Sequence, residues 1–99
     1  MVVEIAIIEA KPGEEDAMCE GLKRARLVIE RSPGYRGSIF QQGIENPARF
    51  VLYITWDTLA DHLEGFRKGT LFSEWRSHWA HHLTGTPDVQ HYEVIAGVP

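Results

Sequence analysis

The sequence predicts an α+β fold of the ferredoxin-like type, with elements in the order β-α-β-β-α-β around an antiparallel four-stranded sheet. Three observations predict this fold. Four short segments are rich in β-branched or aromatic residues, helical stretches follow the first and the third of them, and a tight turn joins the second to the third. The 99 residues are few enough to form one domain, residues 1–99.

Turn residues bound the first strand and the first helix. Val2–Glu9 is β-branched and apolar on both faces, which predicts a strand that is covered on both sides. Lys11–Gly13 contains Pro and Gly and ends this strand. Glu14–Arg31 is predicted to be a helix that stops at Ser32–Gly34. Its apolar stripe consists of Met18, Leu22, Ala25 and Ile29.

The next two strands are predicted to pair as an antiparallel hairpin. Tyr35–Ile44 alternates partly between apolar and polar residues, and Glu45–Pro47 forms the turn that follows it. Arg49–Trp56 is the strongest strand pattern in the chain, with Phe50, Leu52, Ile54 and Trp56 on one face. The last strand is predicted at Val89–Ile95.

The stretch Trp56–Leu83 concentrates the aromatic and titratable residues of the chain, and it predicts a second helix broken in two. The first half begins at the capping residue Thr58, and a glycine-containing break lies at Lys68–Thr70. The second half runs from Leu71 to His82, before a stop at Gly85–Pro87. The inward stripe of the two halves comprises Leu59, His62, Leu63, Phe66, Phe72, Trp75 and Trp79.

Composition excludes several classes of partner. The net charge of −4 and the pI of about 5.7 argue against a nucleic-acid partner, and no apolar run is long enough to cross a membrane. The chain starts directly as a strand without a secretory signal, and its single cysteine, Cys19, cannot form an internal disulfide, so we expect a cytoplasmic protein. Helices on one face of the sheet leave its other, partly apolar face uncovered, which predicts a homodimer.

Several motifs together resemble one protein family. In order they are a K-P-G turn, S-P-G-Y at Ser32–Tyr35, W-D-T-L-x-x-H-x-x-G-F-R at Trp56–Arg67, F-x-x-W-R at Phe72–Arg76, and P-x-V-x-H-Y-E at Pro87–Glu93. With these motifs nearly the whole chain resembles the antibiotic biosynthesis monooxygenase (ABM) domain family. The resemblance implies a dimeric α/β barrel with a pocket between each sheet and its helices. It also implies an oxygenase that needs neither metal nor flavin, so we expect no cofactor.

Two branches of that family can be compared residue by residue. The haem-degrading branch uses an asparagine, a tryptophan and a histidine at positions that fall here on Ala6, Phe66 and Arg76, so none of the three matches. The polyketide-oxygenase branch uses an asparagine, a tryptophan and a tyrosine at positions that fall on His62, Phe66 and Phe72. Compared with that branch, this chain keeps aromatic residues at these positions but has different polar groups, so the resemblance does not indicate which substrate it uses.

The residues nevertheless support a specific chemistry. Oxygen can enter an electron-rich phenol without a cofactor if a base first removes the phenol proton in a dry cavity. We expect His62 to be that base, because histidine titrates near neutrality. Arg76 or Tyr53 is expected to steady the anion. The expected substrate-binding walls are Trp56, Phe66, Phe72, Trp75 and Trp79.

Each assignment has a structural alternative. His62 also fits a boundary histidine with a backbone partner, the aromatic residues fit an ordinary core, and Arg76 fits a surface ion pair. His91–Glu93 fits a subunit interface or a sheet. His78 and His82 lie one helical turn apart with Glu74 a turn before them, but no fourth ligand is near in sequence, so no metal is expected. The alternative function is a non-catalytic module of the same fold that binds a small apolar ligand or serves in assembly.

Overall fold

The computed structural model describes residues 1–97, and it contains a four-stranded antiparallel sheet in the order β2-β3-β1-β4. The strands are β1 Val2–Ala10, β2 Tyr35–Gln42, β3 Arg49–Trp56 and β4 Leu83–Glu93. The helical elements are α1 Glu15–Ile29, a π-helical turn Asp61–Phe66, α2 Leu71–Ser77 and a 3-10 turn Ala80–His82. The predicted ferredoxin-like fold with a broken second helix is confirmed. No helix within residues 1–97 is both long and apolar enough to cross a bilayer.

The core lies between one face of the sheet and the helices. Strand β3 buries alternate residues against the helices, as its period of two requires. Helix α1 contributes the stripe that its apolar spacing predicts, and it approaches the second helical region closely at Gly21. A Cβ at Gly21 would lie 2.1 Å from the carbonyl oxygen of His78, so only glycine permits this approach.

Within residues 1–97 no helix covers the other face of the sheet, which is partly apolar. Antiparallel pairing places Ile5 beside Tyr53, and Tyr53 beside Ile39. Tyr53 is 39% exposed, Ile39 is 58% exposed and Tyr92 is 52% exposed. We call this surface the open sheet face. Its exposed aromatic and aliphatic side chains are consistent with the predicted contact to a second copy.

The start of the second helical region confirms the predicted cap. The Thr58 N–H donates to Asp61 Oδ2 at 3.1 Å, and the Asp61 N–H donates to Thr58 Oγ1 at 3.1 Å. The turn then widens, because the Arg67 N–H donates to the His62 carbonyl five residues earlier at 2.9 Å. Such π-helical turns often occur at functional sites, and here the turn carries His62 and Phe66.

Two predicted boundaries in the C-terminal part are wrong. Helix α2 ends at Ser77 rather than His82, and the last strand spans Leu83–Glu93 rather than Val89–Ile95. The stretch Gly85–Pro87, predicted as a helix stop, lies inside β4. It forms a bulge, since the pairing with β1 shifts register between Ile7 and Glu9. Proline is tolerated there because β4 is an edge strand with one unpaired side.

Candidate active site

A cavity of about 360 Å³ lies between the helix-covered face of the sheet and the broken second helix. Its floor comes from β1, β3 and β4, and its roof from the π-helical turn, α2 and the residues that follow α2. This position agrees with the predicted pocket beneath Trp56–Leu83. The lining residues are Glu4, Ala6, Ile8, Ile29, Leu52, His62, Phe66, Arg67, Phe72, Trp75, Arg76, Trp79, Thr86, Pro87 and Val89.

Four aromatic residues form a continuous wall along the roof of the cavity. The ring of Phe66 meets the rings of Phe72 and Trp75 edge to face, with centroids 5.6 and 5.8 Å apart. Trp75 in turn meets Trp79 at 5.8 Å. Helical spacing places Phe72, Trp75 and Trp79 on one side, and the break before α2 brings Phe66 against them. They make the wall rigid and apolar, as a site for a planar ligand requires.

One polar group in this wall has no partner. Trp79 is 3% exposed, and its indole Nε1 meets no hydrogen-bond acceptor among residues 1–97. Buried N–H groups usually find an acceptor. This indole N–H is therefore an unsatisfied donor inside the wall of the cavity.

Glu4, His62 and Trp56 meet at one end of the cavity. Trp56 Nε1–H donates to Glu4 Oε1 at 3.0 Å, and His62 Nε2 lies 3.3 Å from the same oxygen. His62 stacks on the Trp56 ring with centroids 5.3 Å apart. The other imidazole nitrogen of His62, Nδ1, lies 2.7 Å from Nε2 of His91. Strand β1 supplies Glu4 and strand β4 supplies His91, which are register partners in the sheet.

Burial shifts the protonation of this cluster. Glu4 is 5% exposed, and loss of solvation raises the pKa of its carboxyl group to about 7, although the Trp56 hydrogen bond and the Arg67 charge oppose that rise. Burial, with smaller effects from His91 and Arg67, lowers the pKa of His62 to about 4. Burial and Arg67 also lower the pKa of His91. At neutral pH, therefore, His62 is neutral, its contact with Glu4 is not an ion pair, and Glu4 is the group that titrates.

Two arginines give the cavity a positive side. The guanidinium carbon of Arg76 lies 5.2 Å from the Trp79 ring centre and 5.9 Å from that of Phe72. Arg67 follows the π-helical turn directly and lines the same cavity. Among residues 1–97, neither arginine has a carboxylate within 4 Å. Their charges are thus available to an anionic group in the cavity.

The structure places most of the predicted site residues around the cavity, with two exceptions. His62, Arg76, Phe66, Phe72, Trp75 and Trp79 line the cavity. Trp56 was predicted to be a wall residue, but it is fully buried behind His62 and does not line the cavity. Tyr53 alternates with buried Leu52 and Ile54 along β3 and lies on the open sheet face. Tyr53 therefore does not reach the cavity of its own chain.

Sequence reasoning missed Glu4 and the contact made by His91. Glu4 occupies an inward position of β1 between apolar neighbours, and this misplaced charge was the one available signal. His91 was considered only as a sheet or interface residue, and its partner on the π-helical turn is distant in sequence. The inward charge of Glu4 and the position of His91 in the last strand do not reveal which residues they contact in space.

The histidines at the end of α2 lie apart from the cavity. His82 Nδ1 is 2.9 Å from Glu14 Oε1, and the His81 and His82 rings lie 4.0 Å apart. Within the part of the chain that the structure describes, no three His, Cys, Asp or Glu side chains form a metal-binding group. A second cavity of similar volume lies between α1 and β2 beside Cys19, but no buried titratable residue lines it.

Comparison with known proteins gives consistent matches. The family model "Antibiotic biosynthesis monooxygenase" matches residues 1–78. The uncharacterised protein YczJ of Bacillus subtilis (strain 168) is 30% identical over 95 residues, which are 96% of this chain and all of that protein. A Bordetella bronchiseptica structure named as a candidate antibiotic biosynthesis monooxygenase has a TM-score of 0.90 and 32% identity, covering 96% of this chain and 97% of its own.

A more distant structure shares the fold. SnoaB, a cofactor-independent oxygenase from Streptomyces nogalater, has a TM-score of 0.82 at 11% identity, covering 99% of this chain and 96% of its own. At that identity the likeness concerns the backbone architecture alone.

Proposed function

The chain belongs to the antibiotic biosynthesis monooxygenase family, and from this membership and the site we propose that it is a monooxygenase acting without metal or flavin on a small aromatic phenol or quinol. In the proposed reaction one atom of O₂ enters the ring of the substrate. The other atom leaves as water with two hydrogens of the substrate. The substrate is therefore the electron donor, and no external reductant is needed.

The observation that carries the proposal is a titrating carboxyl group beside a neutral imidazole in an aromatic cavity. The reaction begins when the phenol loses its proton, because the anion transfers an electron to O₂ far more readily than the neutral phenol does. Glu4, with a pKa near 7, is ionised in part of the molecules at neutral pH and accepts a proton without a large energetic mismatch. His62 remains in the proposal as the partner that shares this proton.

The remaining groups of the cavity suit the later steps. Arg76 and Arg67 supply positive charge to the phenolate and to reduced oxygen as negative charge develops. The walls of Phe66, Trp75 and Trp79 exclude water, so that the radical pair formed by electron transfer recombines inside the cavity.

We further propose that the protein works as a homodimer in the cytoplasm. The open sheet face supports the dimer, since a second copy would cover its exposed apolar residues. The free thiol of Cys19 is consistent with a reducing compartment.

Oxygen consumption tests the proposal directly. The purified protein is incubated with a panel of hydroquinones in chelator-treated buffer, and O₂ uptake and the mass of the product formed under ¹⁸O₂ are measured. We expect uptake with at least one phenol or quinol, together with one labelled oxygen in the product. The variant His62→Phe keeps an aromatic ring against Trp56 but removes both imidazole nitrogens, so its turnover is expected to fall at least about 100-fold.

The control variant is His82→Phe, because His82 lies outside the cavity and contacts Glu14 instead. It is expected to retain turnover. If panel members quench tryptophan fluorescence but none consumes O₂, the oxygenase proposal is wrong and the binding-module alternative holds. Equal turnover in His62→Phe and the unmodified protein would exclude a role for His62.

A further inference from the structure

A line of three titratable side chains leads from the cavity towards the edge of the sheet. Glu4 is buried and lines the cavity, His62 is 3% exposed, and half-buried His91 lies on edge strand β4. His62 connects the other two, since its Nε2 faces Glu4 at 3.3 Å and its Nδ1 faces His91 at 2.7 Å. His62 Nδ1 is hydrogen-bonded to His91, whereas His62 Nε2 lies close to Glu4 without the alignment of a hydrogen bond.

Once the Glu4–His62 contact closes to a hydrogen bond, only two arrangements of protons satisfy both contacts while His62 and His91 are both neutral. If Glu4 is ionised, it accepts from His62 Nε2–H, and the bare Nδ1 accepts from Nε2–H of His91. If Glu4 is protonated, its O–H donates to His62 Nε2, and Nδ1–H of His62 donates to His91 Nε2. The charge of Glu4 thus determines the tautomer of His62, and that tautomer determines the tautomer of His91.

We propose that Glu4, His62 and His91 form a proton relay that exchanges the proton of Glu4 with solvent while the cavity is closed by substrate. In the outward direction Glu4 O–H gives its proton to His62 Nε2. His62 Nδ1–H passes a proton to His91 Nε2, and His91 Nδ1–H releases one to water. Glu4 loses one proton, water gains one, and no electrons move.

This relay deepens the proposed function and rests on it for its catalytic role. A base beneath bound substrate must discharge its proton before the next turnover, and the substrate blocks the route through the cavity. The line through His62 provides a second route on the side of β4. In the proposed reaction Glu4 contacts the substrate, and His62 and His91 act through Glu4.

The charged groups around the relay are few. Arg67 acts electrostatically on all three members, and Arg76 lines the same cavity from α2. Strand β3 contributes Trp56, which does not titrate and holds Glu4 Oε1 in place by its N–H. His62 Nε2 lies 3.3 Å from Glu4 Oε1 without the alignment of a hydrogen bond. The relay requires these two groups to turn towards each other, which we expect when Glu4 is charged.

Nitrogen NMR of the ¹⁵N-histidine-labelled protein tests the relay without substrate or oxygen. Ring nitrogens that carry a hydrogen and those that do not have well-separated shifts, so the tautomer of each neutral histidine can be followed. Between pH 5 and pH 9 we expect His62 to change from the Nδ1–H to the Nε2–H form with a midpoint near 7, where Glu4 titrates. His91 is expected to change from Nδ1–H to Nε2–H at the same midpoint.

Two variants sharpen the test. Glu4→Gln removes the titrating group and is expected to abolish the pH-dependent change of tautomer in both histidines. His82→Gln removes a histidine that contacts a different glutamate and is expected to leave the change intact. If either variant fails to fold, the shared midpoint in the unmodified protein still decides the matter.

The relay would be overturned if His62 kept one tautomer over this range, if His62 and His91 changed at different pH values, or if the change persisted in Glu4→Gln. None of these results depends on turnover. A shared change of tautomer without O₂ uptake would therefore support the relay and reject the oxygenase. O₂ uptake without a shared change of tautomer would support the oxygenase and reject the relay.

Discussion

Replacing Glu4 by glutamine should change how the stability of the protein depends on pH. In the folded protein, burial raises the pKa of the Glu4 carboxyl group from 4.5 to about 7. An acid with a raised pKa binds its proton more tightly in the folded state, so folding stability is lost as the pH rises from about 4.5 to about 7. A difference of roughly 2.5 units corresponds to about 3 kcal/mol. Glu4 is buried, so solvent screening removes little of this effect.

His62 contributes an effect of opposite sign. Its pKa falls from 6.5 to about 4 in the folded protein, so the unfolded chain binds more protons between these values and stability rises with pH. The magnitude is again about 3 kcal/mol. In the unmodified protein the two effects oppose each other between about pH 4.5 and 6.5, and they leave stability nearly constant there. The glutamine variant loses the falling effect of Glu4 and keeps the rising effect of His62.

The measurement is urea unfolding followed by tryptophan fluorescence at pH 4 to 8, at one protein concentration because of the expected dimer. The quantity compared is the free energy of unfolding of Glu4→Gln minus that of the unmodified protein. It should increase by about 3 kcal/mol between pH 4.5 and 7 and then stay level. A difference for Glu4→Gln that is independent of pH would refute the raised pKa of Glu4.

Two further predictions concern packing. Gly21→Ala should lower the free energy of unfolding by about 3 kcal/mol in the same unfolding assay, because its Cβ would overlap the backbone carbonyl of His78. The control Gly65→Ala should not destabilise the protein, because its Cβ would meet only one atom at 3.9 Å. Ile39→Glu should convert the expected dimer to a monomer in sedimentation experiments, because it places a charge on the open sheet face. Ile44→Glu, at a turn residue that is 91% exposed, should leave the dimer intact, and dimers in both variants would exclude the open sheet face as the interface.

The sequence predicted the fold well wherever local pattern and tertiary position agree. Strand β3 has the predicted bounds Arg49–Trp56, because its alternation is uninterrupted and its inward face is fully apolar. Strand β4 was predicted too short, because Gly85–Pro87 is typical of a turn in isolation. Only its place at the edge of the sheet allows those residues to continue the strand through a bulge.

The aromatic residues that line the candidate site could be predicted from the sequence. The contacts of its titratable residues could not. Helical spacing places Phe72, Trp75 and Trp79 on one side, and the break in the helix brings Phe66 to the same cavity. The sequence also indicates that Tyr53 lies on the open sheet face. Leu52, Ile54 and Trp56 occupy the alternate positions of β3 and face the helices, so Tyr53 faces away from them. The meeting of Glu4 with Trp56 and His62 depends on strand register and on the path of the π-helical turn, which no local pattern specifies.

The chemical character of the site depends on which of its two central groups, Glu4 or His62, has the higher pKa. In water a histidine side chain is more basic than a glutamate side chain, so a proton shared by such a pair resides on the imidazole. Here burial penalises the charged form of each group and reverses that order, with Glu4 near 7 and His62 near 4. The proton therefore resides on the Glu4 carboxyl group, and the protonated pair is neutral. Loss of this proton leaves a carboxylate in an aromatic cavity beside Arg67. A carboxylate whose pKa lies near neutrality is a stronger base than glutamate in water, and it is what removal of a phenol proton requires.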